Sequence, residues 1–194
     1  GAAPGAPLAV VPRPTHALGR RRLPGPRNVA HTPITGTTSH GLAIGRALAE
    51  VHATRFTEFG ELAPTSTEVR APFPDLLDAL VQYTRSELTT KTSGLEVALG
   101  ERVVQTLARN APSLRAVAGP PVLLHGDFKV SNLHWAADDR LLVLDWEFAY
   151  AGAALLDIGQ LLRWHLPAPF KQAFAAGYRD AGGELVDEWE RWSA

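Results

Sequence analysis

The sequence predicts an α+β fold that is mainly helical, with one small β-hairpin at its centre. Five stretches, 39–52, 74–89, 94–109, 155–164 and 169–179, carry apolar residues at helical spacing. Two short apolar runs, 122–124 and 141–144, are instead of strand type. The polar residues crowd where those two runs end. His125, Asp127, Lys129, Asn132 and Asp145 thereby fall on two loops, 125–132 and 145–147, held by a buried hairpin-like scaffold, where chemistry tends to be displayed.

The first helix has a hydroxyl cap at Thr38 or Ser39, then Leu42, Ile44, Leu48 and Val51 on one stripe, and ends near His52. His52 on that apolar edge reads as a satisfied core histidine rather than a ligand. Residues 57–72, with Gly60 and two prolines, read as a loop. The next two helices form an antiparallel pair. The first of them carries Leu76, Leu77, Leu80, Val81 and Leu88; the second opens on the capping box Ser93-x-x-Glu96, has Leu99, Val103 and Leu107, and is stopped by Asn110-Ala111-Pro112. Gly119-Pro120-Pro121 then delivers the chain into the first strand-type run.

After the second polar loop Gly152 allows a turn, and an amphipathic helix over 155–164 carries Asp157 in its first turn. Pro167 and Pro169 break the run before the last long helix, whose Phe170, Phe174 and Tyr178 have the spacing of core residues. Gly182-Gly183 turns the chain into a final segment with Trp189, Trp192 and the acids Glu184, Asp187, Glu188 and Glu190.

At 194 residues with 45% hydrophobic side chains, the chain has material for a real core. Nineteen basic against twenty acidic residues give a net charge of −1, which offers no reason to expect nucleic acid or an anionic membrane as partner. No stretch is long and apolar enough to span a bilayer, cysteine is absent, and a cytoplasmic location is the default expectation. Methionine is absent too, so the chain was processed or is a fragment. Residues 1–38 are rich in Gly, Pro and Arg and precede the first acidic side chain, Glu50. They read as a poorly ordered segment rather than a basic arm or targeting peptide, with one apolar run, 8–11, as a strand remnant.

The polar loops point to phosphoryl transfer. Asp127 and Asn132, five apart, can face one pocket from a single tight loop, and Asp145 arrives there at the end of the later strand. Hard oxygen ligands so placed suit Mg²⁺, which takes one or two carboxylates and completes its shell with water and phosphate oxygens. Asp127 is the candidate base for the attacking hydroxyl, Asn132 and Asp145 are the candidate metal ligands that would also hold ATP through the ion, and Lys129 is placed to neutralise charge near the transferred group.

His125-Gly126-Asp127, four residues and Asn132, followed by Leu144-Asp145-Trp146-Glu147, resembles the HGDxxxxN and DWE signature of the aminoglycoside phosphotransferase family. That family is part of the protein-kinase-like superfamily, which shows HRDxxxxN and DFG in the same order. The resemblance implies a helical large lobe over 39–194, with 1–38 a remnant of the small lobe and hinge; neither a phosphate-covering loop nor a lysine–glutamate pair is found upstream. It also implies catalytic Asp127, His125 as a buttress of its loop, metal ligation by Asn132 and Asp145, and Asp157 tying its helix to that loop. Lys129 matches the kinase-loop lysine, where the family often has histidine. The implied reaction moves the γ-phosphoryl group of ATP to a hydroxyl of a small molecule such as an aminoglycoside, choline or a related alcohol, and relatives hold the acceptor against the final segment, whose acids would suit a polycation. The alternatives are a truncated, non-catalytic relative acting as a binding module, and a metal-dependent phosphohydrolase.

Overall fold

A computed structural model describes residues 9–10, 37–63, 66, 68–91, 93–135, 141–164 and 166–193. The reading of 1–38 therefore lies outside the described residues, except at 9–10 and 37–38. The framework is a pair of closely apposed helices, α1 (Thr38–His52) and α5 (Ala168–Asp180). The N-cap of α1 is Thr37, one or two residues earlier than expected, and its hydroxyl accepts from the His40 amide at 3.4 Å. Small residues let the two backbones meet: a Cβ on Gly41 would strike the Phe170 carbonyl, one on Gly45 the Phe174 carbonyl, and one on Gly177 the Leu42 carbonyl. Around this contact Ile44, Leu48, Phe170, Phe174 and Tyr178 are buried with Phe128, Ile158 and Leu161. Each large apolar side chain so buried contributes about 1.5–3 kcal/mol.

The expected antiparallel pair is α2 (Leu76–Leu88), capped by the Asp75 carboxylate on the Asp78 amide at 3.0 Å, and α3 (Gly94–Val117). Gly100 leaves the space that the Leu88 side chain occupies. Two expectations fail here. Ser93 stands at the N-cap of α3 without a side-chain capping bond, and Pro112 lies inside the helix instead of stopping it. Proline withholds one amide, freeing the carbonyl of Ala108. Ala108 is exposed, so water can take that bond, and the helix continues. The apolar stripe is also less buried than its spacing suggests: Leu76, Leu77 and Val104 are buried, whereas Leu99 is 59% exposed and Val103 44%.

Two small sheets complete the fold. Strands β5 (Leu133–Trp135) and β6 (Leu141–Val143) form an antiparallel hairpin, with β1 (Ala9–Val10) parallel to β6 on its other edge. The first strand-type run, β4 (Val122–Leu124), is not part of that hairpin. It pairs with β7 (Tyr150–Gly152) in a second sheet of order β3-β2-β7-β4, where β2 is Gly60–Leu62 and β3 is Val69–Pro72. The segment expected to be a plain loop thus contributes the strand pair β2 and β3, and Gly152 ends a strand rather than making a turn. Both glycines are required by close packing, Gly60 under the Ala71 carbonyl and Gly152 under Leu124 and Tyr150. Helix α4 (Ala154–Leu162) follows β7, and a short α6 (Trp189–Trp192) closes the described chain. Among the described residues no helix is long and apolar enough to cross a membrane.

Candidate active site

The chain leaves β4 through His125-Gly126-Asp127, and the turn is held from below by α4. Asp157, in the first turn of α4 and fully buried, accepts from the His125 amide at 2.7 Å and the Gly126 amide at 2.9 Å. One carboxylate thereby satisfies two buried donors and fixes the loop's starting direction. Gly126 has φ 79° and packs against the Phe148 carbonyl, so neither its conformation nor its space admits a side chain.

His125 is a buttress by geometry. Its Nε2 donates to the Leu144 carbonyl at 2.7 Å, and its Nδ1 accepts from the Asp127 amide at 3.2 Å. A carbonyl can only accept and an amide can only donate, so the two partners select the Nε2–H tautomer. The ring lies fully buried beside Trp146, whose centroid is 4.8 Å away and whose Nε1–H donates to the Val143 carbonyl. His125 therefore spans the two loops without facing solvent.

Asn132 ends a 3₁₀ turn over Val130–Asn132. Its Nδ2 donates to the Asp127 carbonyl at 3.0 Å and to Asp127 Oδ2 at 3.2 Å, which aims its Oδ1 away from them. The Asn132 carbonyl accepts from the Leu144 amide at 2.9 Å. Leu144 is thus gripped on both sides, by His125 and by Asn132, and the next residue, Asp145, is delivered beside them. Asp145 has φ 67° and ψ 62°, a left-handed conformation that costs a non-glycine residue about 1 kcal/mol or more and that clusters at functional sites. Its side chain is exposed.

Around Asp127 the charges are arranged unevenly. Lys129 Nζ lies 2.6 Å from Oδ2, the oxygen that also accepts from Asn132, while among the described residues Oδ1 meets the Arg163 guanidinium at 3.8 Å. Arg163 follows α4 directly and was given no role by the sequence; its signal is long-range, because the helix must fold back before its end reaches the loop. Among the described residues no cluster of three or more His, Cys, Asp or Glu side chains could hold a metal. A magnesium site asks for fewer protein ligands, and one carboxylate and one amide oxygen, Asp145 and Asn132 Oδ1, are a fitting hard donor set.

Behind the loop Asp157 also meets His52 Nε2 at 3.4 Å, and His52 Nδ1 lies 2.7 Å from the Tyr178 hydroxyl. His52 is the satisfied core histidine its position suggested. Burial, and secondly the charge of Asp157, push the Tyr178 phenol far above its ordinary value, so it stays a hydrogen-bond donor to His52. The final segment's acids are largely engaged elsewhere: Glu184 with Arg55 at 3.6 Å, Glu188 with Arg191 at 2.9 Å and Glu190 with Lys171 at 3.3 Å.

Solved structures share this architecture. The chain is 16% identical to the choline kinase LicA from Streptococcus pneumoniae, with 84% of this chain and 54% of that one covered at a TM-score of 0.62. For the macrolide 2'-phosphotransferase MphH from Brachybacterium faecium the figures are 19%, 81%, 50% and 0.56. For a Plasmodium vivax ethanolamine kinase they are 14%, 81%, 48% and 0.54. The chain spans about half the length of the structures it resembles. No curated protein sequence matches it. The model of the phosphotransferase enzyme family (APH) matches residues 23–194, starting upstream of the motifs and running through both polar loops. With the two loops interlocked in a kinase-like lobe and that model covering most of its length, the chain belongs to the phosphotransferase enzyme family.

Proposed function

We propose that this chain carries the catalytic loops of a phosphotransferase that moves the γ-phosphoryl group of ATP to a hydroxyl of a small molecule. The observation that carries the proposal is the interlock at Leu144: His125 and Asn132 grip its two backbone groups and so set Asp145 beside the Asp127 loop. Phosphoryl transfer relies on positioning and electrostatics more than on covalent work by the protein, and this arrangement supplies both. The AMP complex solved for LicA supports a nucleotide as the donor.

In the reaction the acceptor oxygen forms a bond to the γ-phosphorus as the bond to the ADP oxygen breaks. The acceptor's proton passes to Asp127. Oδ2 is engaged by Lys129 and Asn132, so Oδ1 is the oxygen turned to that proton. Lys129 holds the carboxylate's orientation and adds positive charge beside the transferred group. Asn132 Oδ1 and Asp145 would hold Mg²⁺, which when bound neutralises charge on the β and γ phosphates.

Asp127→Asn keeps the shape of the side chain and removes its capacity to take a proton. In a coupled ADP-release assay with an accepted alcohol, kcat should fall about 10²-fold or more with KM for the acceptor little changed. A variant within about threefold of the parent would move the base role to another residue.

A further inference from the structure

We infer that His52 is a positioning residue for phosphoryl transfer: it orients the Asp157 carboxylate that holds the His125-Gly126 turn, and so fixes the backbone from which Asp127 meets the acceptor's proton. The inference rests on the phosphotransferase reading. Its starting point is the choice of tautomer. Burial, then the charge of Asp157, keeps the Tyr178 phenol protonated, so its hydroxyl donates to His52 Nδ1 at 2.7 Å. A ring nitrogen that accepts carries no proton, and the one proton of the neutral ring therefore sits on Nε2. Nε2 faces Asp157 Oδ2 at 3.4 Å. The opposite tautomer would set a lone pair against a buried carboxylate and take this acceptor from the Tyr178 hydroxyl.

Asp157 divides its oxygens among three donors. Oδ1 accepts from the Gly126 amide at 2.9 Å, and Oδ2 accepts from the His125 amide at 2.7 Å and from His52. Asp157 is fully buried, and a buried carboxylate keeps its place only while donors surround it. The His52 ring also excludes water. His52 and Tyr178 line a pocket of about 230 Å³ whose rim carries the ion pair of Arg55 and Glu184, both side chains more than half exposed. Asp157 is absent from that lining, so the imidazole stands between the pocket and the carboxylate. Without the imidazole, water from the pocket would hydrate Oδ2 and compete with the His125 amide, and the turn would lose its fixed direction. Asp127 follows that turn directly, and a misplacement of about 1 Å can cost about 10²-fold in rate.

Amide exchange followed by NMR, and ADP release from MgATP with water as the acceptor, test this on the same variants. His52→Ala should quicken exchange at the His125 and Gly126 amides at least about tenfold beyond any change in α1 and α5, the scale of one hydrogen bond to a charged group. Its kcat should fall at least about tenfold while KM for MgATP stays within about twofold of the parent. His52→Gln keeps an N–H near the place of Nε2 and should recover most of both losses. Free imidazole, entering by the pocket, should do the same for His52→Ala. The ring nitrogen shifts of His52 should report a proton on Nε2 in the parent and a mixture of tautomers in Tyr178→Phe. Equal quickening across α1, α5 and the turn would overturn the inference, since His52 would then serve stability alone. So would a parental proton on Nδ1, parental kcat in His52→Ala, or no recovery with either glutamine or imidazole. A parent that releases no ADP counts against the phosphotransferase reading alone, because exchange and tautomer still decide whether His52 fixes the turn.

Discussion

The two helical pairs of this molecule are built in opposite ways. Helices α1 and α5 meet through glycines with backbone against backbone, and behind them a buried chain of Tyr178, His52 and Asp157 runs into the amides of the His125-Gly126 turn. Helices α2 and α3 have few buried residues, expose Leu95 to 80%, and surround a cavity instead of filling one. The contrast teaches where tolerance lies. The first pair supports the turn that carries Asp127 and has no slack, so a change of one methyl group is felt. The second defines a space, and its inward residues can vary without disturbing the loops.

The contrast breaks first at Asp157. Replacing it by alanine strips two buried amides and His52 of their partner, and should cost about 3–5 kcal/mol in chemical denaturation, the scale for removing one side of a buried charged network. A loss below about 1 kcal/mol would mean that water enters the site and that the first pair is looser than argued. Next comes Gly45→Ala. Its methyl group would strike the Phe174 carbonyl, a main-chain atom that cannot rotate aside, so α1 must move from α5 at about 1–3 kcal/mol. A crystal structure of the variant with unchanged helix spacing and parental stability would contradict the close-contact argument.

The same contrast explains what was legible in the sequence. His125, Asp127, Lys129 and Asn132 lie on one continuous loop whose spacing alone brings them together, and the burial of Phe170, Phe174 and Tyr178 follows from helical periodicity. Strands β2 and β3 were not legible, because three or four residues are too few to display a period of two. Arg163 was missed because its proximity to Asp127 arises from α4 folding back beneath the loop, a relation that local spacing does not encode. In α3 periodicity misled in the other direction. Leu99 and Val103 have core spacing but face outward or into the cavity, since helical spacing shows that residues share a face and not what that face meets.

A smaller effect belongs to the second pair at its anchor. Asp75 caps α2 and binds Arg115 of α3, so Asp75→Ala should cost about 0.5–2 kcal/mol, mostly the lost cap. The Arg115 hydrogen bond, then the Asp78 amide's, lowers the folded-state pKa of this carboxyl. A lowered folded pKa means that the contribution is fully present above the unfolded value near 4 and is lost as pH falls through the folded one. Hydrogen exchange in the first turn of α2 should therefore quicken, relative to α1, as acid is added below about pH 4, after correction for the intrinsic rate. Equal loss of protection in both helices would show that the pairs do not melt independently.

The smallest expected effect is at Leu99. Helix α3 shows Leu95 and Leu99 to solvent, four residues apart on one face, and neither lines the cavity. An exposed leucine has little transfer energy to lose, and serine in a helix is disfavoured by only about half a kcal/mol. Leu99→Ser should therefore change the unfolding free energy by no more than about 0.5 kcal/mol and leave the acceptor's KM as in the parent. The measurement also sharpens the comparison, because the same substitution at Leu48, buried between α1 and α5, should cost several times more. If Leu99→Ser costs about 2 kcal/mol or more, its side chain is buried in solution. The second pair would then be packed as firmly as the first, and its freedom to vary would have to be given up.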